Sequence, residues 1–293
     1  MNGVVLVDKP GGLTSHDVVN RWRRLTNTKR AGHLGTLDPM ATGLLVLMTG
    51  TATRLAQFFE ACEKTYLAEI TLGIVSDTYD SQGEVRETGA KPPASEEEVL
   101  LALNCFRGKF VQKPPAVSAK KIKGVPAHKL VRKGIAVDLQ PVQVEVKELS
   151  ARLLTPACLE MRVTCSAGTY VRSIAHDLGQ RLGCGAVLSK LRRIKSGSFA
   201  IGDARTLDQL TTLAQAGRLA EAVIDAGRLL PEIPAEYFDI AAEAQIRQGR
   251  DFRTSPFVVK PGSPLVRALS RSGELIAIGQ LKIPNVYHPG TVL

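Results

Sequence analysis

The segment GHLGTLDPMATG, residues 32–43, is the most informative stretch of this 293-residue sequence. Its three glycines allow the backbone to turn with positive φ or to approach a ligand closely. Pro39 fixes its own φ and favours an extended backbone at Asp38, which predicts a carboxylate held in a set direction. Asp38 is also the only acidic residue between Asp17 and Glu60. Because an Asp-Pro pair alone is a common turn device, the segment indicates a candidate site only together with its surroundings.

The charge around this segment is strongly basic. The chain carries a net charge of +10, and three windows hold 19 of its 38 basic residues and none of its 28 acidic ones: residues 18–37, 107–133 and 178–202. The rest of the chain is therefore net −9. Charge concentrated in this way favours a docking surface for a polyanion over three solvated faces. The neighbouring cations also predict that Asp38 stays ionised, poised as a nucleophile or base.

Composition indicates a globular protein of the reducing cytoplasm. Hydrophobic residues make up 44% and charged residues 23%, which excludes disordered and collagen-like classes. No apolar run reaches the roughly 18 residues needed to cross a bilayer, and the N-terminal segment MNGVVLVDKPGG does not resemble a signal peptide. The basic stretches lack the bulky apolar face of an interfacial helix, so nucleic acid is favoured over a membrane. Five cysteines without a C-x-x-C pair support neither a disulfide framework nor a zinc site.

The hydrophobic patterns predict an α+β fold. Strands are predicted at residues 3–7, 44–48, 64–74 and 159–165, and helices after the capping signals of Thr14 with Asp17 and Ser95 with Glu98 and over residues 171–182. The strands do not alternate regularly with helices. A mixed, mainly antiparallel central sheet flanked by helices and loops is therefore favoured over a parallel βαβ arrangement.

Prolines mark two changes in organisation along the chain. Four of them lie among the lysines of residues 112–141, which predicts an excursion away from the central sheet. Two more fall within residues 228–236 and predict a domain boundary. Beyond it, apolar runs at residues 257–259 and 275–278 indicate a small β-rich module. The predicted domains are residues 1–230 and residues 235–293.

Several motifs together resemble the TruB family of tRNA pseudouridine-55 synthases. GHLGTLDPMATG is similar to the family's catalytic signature, in which the aspartate lies in a G-T-L-D-P-x-A-T-G context. The likeness continues in order through Lys9-Pro10, Lys64-Thr65-Tyr66, Gly168-Thr169-Tyr170-Val171-Arg172-Ser173 and Leu191-Arg192-Arg193. It implies a pseudouridine synthase fold with a PUA-like C-terminal module, and isomerisation of uridine 55 in the T-loop of tRNA. The reaction oxidises nothing and loses no group, so the resemblance implies no cofactor and no metal.

The same resemblance implies three catalytic residues. Asp38 would be the nucleophile, Arg172 would form a salt bridge to its carboxylate, and Tyr66 would lie against the target base. A two-pronged guanidinium would orient the carboxylate and keep it ionised. Without the resemblance, Arg172 could equally be a surface arginine of a helix, and Tyr66 an ordinary aromatic residue of a strand that packs in the core. The sequence leaves open whether Asp38 attacks the sugar or the pyrimidine.

Three further residues are expected to bind substrate. By resemblance, His33 would fill the stack left by a flipped base, Tyr170 would lie beside the uracil, and Leu191 would contact the substrate in an apolar pocket. Flipping the base out of a folded T-loop costs a few kcal/mol, which contacts of this kind would offset. Without the resemblance, His33 would be read as a loop residue and Leu191 as core.

The expected partner is the T-arm of tRNA, bound by a monomer with no membrane involvement. Residues 112–141 correspond to the family's inserted thumb, which grips the T-stem. Val117 stands where relatives have tyrosine, and His128 lies in a segment where they have L-Y-E, so individual thumb contacts differ. The alternatives are a guide-dependent relative of the dyskerin type and an RNA-folding chaperone that does not depend on turnover. A glycosidase is disfavoured because Asp38 has no second carboxylate nearby in sequence.

Overall fold

The computed structural model describes residues 1–93, 95–118, 120–122, 124–131, 133–135 and 137–293, with the backbone alone at residues 121, 122, 126, 128 and 129. The predicted contributions of Lys123 and Arg132 to the basic insertion therefore lie outside the described residues. The same holds for the side chains of Lys121, His128 and Lys129. Within the described part of the chain, no helix has both the length and the apolar character needed to cross a bilayer.

Strands outnumber helices, as the sequence patterns predict. The strands are β1 Gly3–Lys9, β2 Ala31–Leu34, β3 Thr42–Thr49, β4 Lys64–Leu72, β5 Ile74–Ser76, β6 Val85–Glu87, β7 Gly108–Gln112, β8 Lys121–Ile122, β9 Val125–Pro126, β10 Val142–Thr155, β11 Cys158–Cys165, β12 Ala186–Ser196, β13 Phe199–Ala200, β14 Arg205–Thr206, β15 Val223–Asp225, β16 Ala235–Phe238, β17 Phe252–Arg253, β18 Leu265–Ser270, β19 Leu275–Ile283 and β20 Val286–Val292. The helices are α1 Ser15–Thr26, α2 Glu96–Leu103, α3 Ala127–Val131, α4 Val171–Arg181, α5 Leu207–Gln215 and α6 Ile240–Arg247.

An 11-stranded mixed sheet forms the centre of the molecule. Its main path runs β14-β1-β3-β12-β4-β11-β10-β7. The pairs β1–β14 and β3–β12 are parallel, and the other pairs along this path are antiparallel. The predicted α+β class with a mixed, mainly antiparallel sheet is confirmed.

The apolar strand β1 shows why the sheet is buried on both faces. Successive side chains of a strand point to opposite faces. Val5 and Val7 accordingly join the core shared with α1, α4 and α5, whereas Val4 and Leu6 join a second core on the other face. The second core includes Leu269 and other residues of the C-terminal sheet. Strands covered on both sides carry continuous apolar runs, which explains the sequence of residues 3–7.

The predicted helix starts are also confirmed. Thr14 and Asp17 form a complete capping box at the start of α1, and Ser95 accepts a hydrogen bond from the backbone of Glu98 at the start of α2. Helix α4 begins after Tyr170, which has no side-chain hydrogen bond capping the helix.

The C-terminal residues form a separate five-stranded sheet in the order β16-β18-β19-β20-β17. The predicted β run at residues 275–278 lies inside β19. The predicted run at residues 257–259 is wrong, because these residues form a turn: Val258 N and Val259 N both donate to Ser255 O. Phe257 is 97% exposed there. Phe257 and Val258 thus project from the module, whereas Val259 is buried in its core without joining the sheet.

The chain leaves the central sheet at the end of β7 and rejoins it at the start of β10, as predicted for residues 112–141. The described part of this insertion contains the short pair β8–β9 and helix α3. Its first residues lie against the start of α4, next to the candidate site.

Candidate active site

Asp38 lies in the loop between β2 and β3, which is held by hydrogen bonds on both sides of the carboxylate. Ser15 Oγ, at the start of α1, accepts a hydrogen bond from Leu37 N at 2.8 Å and donates one to Leu37 O at 3.1 Å. On the other side, Pro39 O accepts a hydrogen bond from Gly12 N at 2.8 Å. The backbone around Asp38 is thus fixed, which gives the carboxylate a defined direction.

The last glycine of the segment is required by a close approach between strands. Gly43 has φ +96°, and a Cβ there would lie 2.3 Å from the carbonyl oxygen of Arg193 on the parallel strand β12. The guanidinium of Arg193 is fully buried beneath the loop. It donates to Leu44 O at 2.7 Å and to Gly35 O at 3.1 Å. Arg193 therefore ties the Asp38 loop to β12.

Arg172, on the first turn of α4, binds Asp38 in a two-pronged ion pair. The distance from Nε to Oδ2 is 2.9 Å and from Nη2 to Oδ1 3.3 Å. Nη1 contacts Asp80 Oδ2 at 3.3 Å and donates to Thr78 O at 3.0 Å, and Nη2 also donates to Val117 O at 3.0 Å. The Arg172 side chain is 4% exposed and that of Asp38 is 34% exposed. A buried guanidinium thus lies behind a partly open carboxylate.

Burial raises the pKa of Asp38 above its ordinary value, and this effect outweighs the lowering by Arg172. Asp80 raises the pKa further, and Lys9 lowers it. Neighbouring cations lower the pKa of Asp38, as the sequence predicts, but removal from water acts more strongly in the opposite direction. The ionised form of such a carboxylate is a stronger base than a fully solvated one.

A cavity of about 760 Å³ opens beside this ion pair. The cavity is assembled by neighbouring strands of the central sheet together with the start of α4, and its volume is within the range of small-ligand sites. Its lining includes all six residues predicted from sequence: His33, Asp38, Tyr66, Tyr170, Arg172 and Leu191.

Tyr66 and Leu191 supply apolar surface to the cavity. Tyr66, on β4, is half-buried and lies opposite Arg193 of β12 in the sheet register. Burial raises the pKa of Tyr66, although Arg193 opposes the shift, so the phenol is neutral near pH 7. Leu191, on β12, is 8% exposed. A ring and an aliphatic group of this kind suit the face of a planar ligand.

His33 and Tyr170 add two uncharged rings. Burial, together with Arg193 and His16, lowers the pKa of His33, which favours the neutral imidazole. The pKa of Tyr170 is raised by burial and lowered less by its hydrogen bond with Ser118. No cluster of three or more His, Cys, Asp or Glu side chains in the described ranges is arranged to hold a metal ion.

Two family models match consecutive parts of this chain. Residues 23–171 match the model described as TruB family pseudouridylate synthase (N terminal domain), and residues 172–231 match the tRNA pseudouridylate synthase B C-terminal domain. The chain belongs to the TruB family. A relative described as tRNA pseudouridine synthase B, from Solibacter usitatus (strain Ellin6076), is 50% identical over 293 residues and covers 100% of both chains. Another of that description, from Opitutus terrae (strain DSM 11246 / JCM 15787 / PB90-1), is 48% identical over 213 residues, or 73% of this chain and 88% of the relative.

The TruB assignment confirms the predicted family, fold and enzyme class. A solved structure described as an H/ACA RNP bound to a substrate RNA containing 2′-deoxyuridine matches with a TM-score of 0.70 and 24% identity, over 99% of this chain and 84% of that chain. This likeness shows the pseudouridine synthase fold, and the C-terminal sheet is consistent with a PUA-like module. The chain is therefore a tRNA pseudouridine synthase, an isomerase that converts uridine in tRNA to pseudouridine.

Asp80 is a residue of the TruB site that the sequence analysis missed. It is 4% exposed and provides the second carboxylate on Arg172. Its Oδ1 accepts hydrogen bonds from Thr78 Oγ1 at 2.7 Å and Gln82 N at 3.0 Å. The sequence SDTYDSQG, residues 76–83, has the composition of an ordinary polar turn. Nothing in it indicates that one of its acids is buried against a helix.

Lys9, which belongs to the Lys9-Pro10 motif of the family resemblance, is a second charged residue that supports the site. It is fully buried at the end of β1, where its ammonium donates to the carbonyl oxygens of Pro10, Leu13 and Pro39 at 3.0, 2.7 and 3.3 Å. Burial lowers the pKa of Lys9 to about 8. The lysine of the Lys9-Pro10 motif therefore fastens two loops together directly beside Asp38.

The basic windows of this TruB chain are not equivalent on its surface. In the first window Arg21, Arg24, Lys29 and Arg30 are exposed, and none of them forms an ion pair with another described residue. The third window was also expected to be a docking face, but it presents fewer unpaired charges than its sequence suggests. Arg193 is buried, and the charges of Arg192 and Lys190 are paired with Asp8 at 2.7 Å and Glu69 at 2.9 Å.

Proposed function

We propose that this protein converts uridine 55, in the T-loop of tRNA, to pseudouridine. The observation that carries the proposal is the two-pronged Asp38–Arg172 pair at a cavity lined by the other four predicted residues. In the reaction the bond from C1′ to N1 of the uracil breaks, the base turns, and a bond from C1′ to C5 forms. C5 loses its hydrogen as a proton and N1 gains one, so atoms and electrons balance without a redox step.

Asp38 is the nucleophile of the proposed reaction. Its carboxylate is partly exposed and buried enough to have a raised pKa, a combination that increases its basicity. Attack on C1′ of the sugar and attack on the pyrimidine ring both begin with this ionised group. Arg172 contacts both carboxylate oxygens, through a hydrogen bond from Nη2 and an ion-pair contact from Nε, which limits rotation about the side chain and favours one line of attack.

The target uridine enters the cavity as a flipped nucleotide. Unstacking costs a few kcal/mol, and we propose that the neutral ring of His33 offsets part of this by filling the vacated stack. Tyr66 lies against the flipped base, Tyr170 lies beside the uracil, and Leu191 contacts its apolar face. The side chains of His33, Tyr66, Tyr170 and Leu191 are all uncharged near pH 7. The negative charge of Asp38 is therefore balanced by Arg172 and not by the groups that contact the base.

The remainder of the chain binds the rest of the tRNA. We propose that residues 1–230 form the catalytic domain, that the insertion at residues 112–141 grips the T-arm, and that residues 235–293 form an RNA-binding module. Phosphate contacts from lysine and arginine set the register, whereas the shape of the T-loop supplies the specificity. The enzyme is proposed to act as a monomer in the cytoplasm.

The direct test is to incubate the pure protein with an unmodified tRNA transcript and map pseudouridine by base. A single new pseudouridine at position 55, formed with no added cofactor, is the expected result. A transcript in which uridine 55 is replaced by cytidine is the matched control. Modification at another position would overturn the site of action. Binding without any modification would overturn the proposed reaction.

Binding of tRNA should weaken steeply with salt, because the exposed cations of the first window release counterions from the phosphates. The double variant Lys29→Gln with Arg30→Gln is expected to reduce the slope of log K against log salt by about 2, or about 1 for each phosphate contact. Arg218→Gln removes an exposed arginine from a pair with Glu221 and should leave the slope unchanged. Filter binding between 50 and 200 mM salt, the range in which such slopes are resolved, measures the effect. Equal slopes for all three proteins would exclude this surface.

A further inference from the structure

Gln112, the last residue of β7 and the first of the insertion, is fully buried against the start of α4. Its Nε2 donates a hydrogen bond to Tyr170 O at 3.0 Å, and its Oε1 accepts one from Tyr170 N at 2.8 Å. One side-chain amide thus pairs with both backbone groups of a single residue. A neighbouring β-strand would make the same two hydrogen bonds with its backbone, but here a side chain makes them.

Tyr170 connects this support to the site. It is the N-cap residue of α4, with an extended backbone (φ −101°, ψ 108°), and its own side chain does not cap the helix. Ser173 N and Ile174 N also donate to Tyr170 O. The amide of Gln112 therefore fixes the turn from which the ring of Tyr170 and, two residues later, the guanidinium of Arg172 project.

Two neighbouring contacts tie the same segments together. Ser173 Oγ donates to Lys113 O at 3.0 Å, and Arg172 Nη2 donates to Val117 O at 3.0 Å. The Val117 contact is made by the nitrogen that also bonds Asp38 Oδ1. The first residues of the insertion are thus fastened to α4 at its N-cap and at the guanidinium of Arg172.

We propose that Gln112 is a positioning residue of the isomerase, which acts through the backbone of Tyr170 to place Arg172 on Asp38. This inference rests on the proposed function of the site. Gln112 is not among the residues that line the cavity, so its effect is on turnover rather than on contact with the base. It also links the segment proposed to grip the T-arm to the catalytic carboxylate.

The first test is Gln112→Met, which keeps the length of the side chain and removes both hydrogen-bonding groups. Because Tyr170 N–H loses its partner and Tyr170 O loses one of its donors, kcat is expected to fall about 30-fold. KM and the Kd for tRNA should change less than threefold, since phosphate contacts lie elsewhere. Gln209→Met is the matched control: Gln209 accepts a hydrogen bond from Thr206 N at the start of α5 and does not line the cavity, so kcat should not change.

The second test is Gln112→Glu, which adds a readout in pH. A protonated glutamic acid can donate to Tyr170 O and accept from Tyr170 N, whereas the ionised form can only accept. The ratio of variant to wild-type kcat should therefore be highest at acidic pH and fall as the pH rises. A side chain that only fills space would give a constant ratio across pH values at which both proteins are folded.

The role of Gln112 and the proposed function can be overturned by different results. If the wild-type protein makes no pseudouridine, the proposed function fails. Suppose the wild type is active. If Gln112→Met then keeps its kcat, or raises KM by the same factor by which it lowers kcat, only the role of Gln112 is overturned. Thermal unfolding checks that each variant is folded. Failure of both to fold would assign Gln112 to the stability of the fold and would also overturn the proposal.

Discussion

Replacing Asp38 with asparagine is expected to lower the rate of pseudouridine formation by at least about 10⁴-fold, because an amide can neither attack as an anion nor accept a proton. The change is nearly isosteric, and Arg172 keeps Asp80 as a charged partner, so the fold should persist. The Kd for tRNA should change less than threefold. Release of tritium from C5-tritiated uridine in tRNA measures turnover, since C5 loses its hydrogen when it bonds to the sugar.

The chain supplies a matched control for this variant. Asp8 also forms a two-pronged pair with an arginine, at 3.0 and 2.7 Å from Arg192, but it does not line the cavity. Asp8→Asn should therefore retain turnover within about threefold, the range of an ordinary surface pair. Comparable losses in the two variants would mean that Asp38 acts through folding. Substantial pseudouridine formation by Asp38→Asn would refute the assignment of the nucleophile.

The elements predicted best from sequence are those whose pattern is set by local physics. Residues 3–7 are continuously apolar because both faces of β1 are covered, and this pattern predicts a buried strand. Thr14 and Asp17 cap α1 through bonds that span three residues. Residues 257–259 show the limit of such reasoning, since an apolar triplet does not reveal that Ser255 accepts two turn hydrogen bonds.

The site residues that lie in sequence motifs were predicted. The rest of the site depends on contacts between residues that are far apart in the sequence, and it was not. Asp38 and Arg172 are far apart in sequence, and only the resemblance to a family paired them in advance. Asp80 has no local signature, because its burial arises when its turn meets α4 and β12. The raised pKa of Asp38 was missed for a similar reason: sequence shows the nearby cations, whereas desolvation depends on the folded surroundings.

Replacing Arg172 with methionine is expected to reduce kcat about 10²- to 10³-fold, comparable to the loss of one preorganised donor at a charged reacting group. The change removes the cation between Asp38 and Asp80, so the pKa of Asp38 should rise further and the pH needed for half-maximal activity should increase. KM and the Kd for tRNA should stay within threefold, because the Arg172 side chain is only 4% exposed and contacts protein groups.

The stability of the same variant separates catalysis from folding. Leaving the buried Asp80 without its cationic partner should cost about 3–5 kcal/mol in the free energy of unfolding. Adding Asp80→Asn removes the unpaired charge, so the double variant should regain most of that stability in urea titrations while kcat stays low.

Arg192→Met, which breaks the pair with Asp8 outside the cavity, should leave kcat nearly unchanged. If the double variant regains activity together with stability, Arg172 supports the fold and not the carboxylate. Equal losses in kcat and tRNA affinity would instead indicate a phosphate contact, because an arginine that orients Asp38 acts on turnover alone.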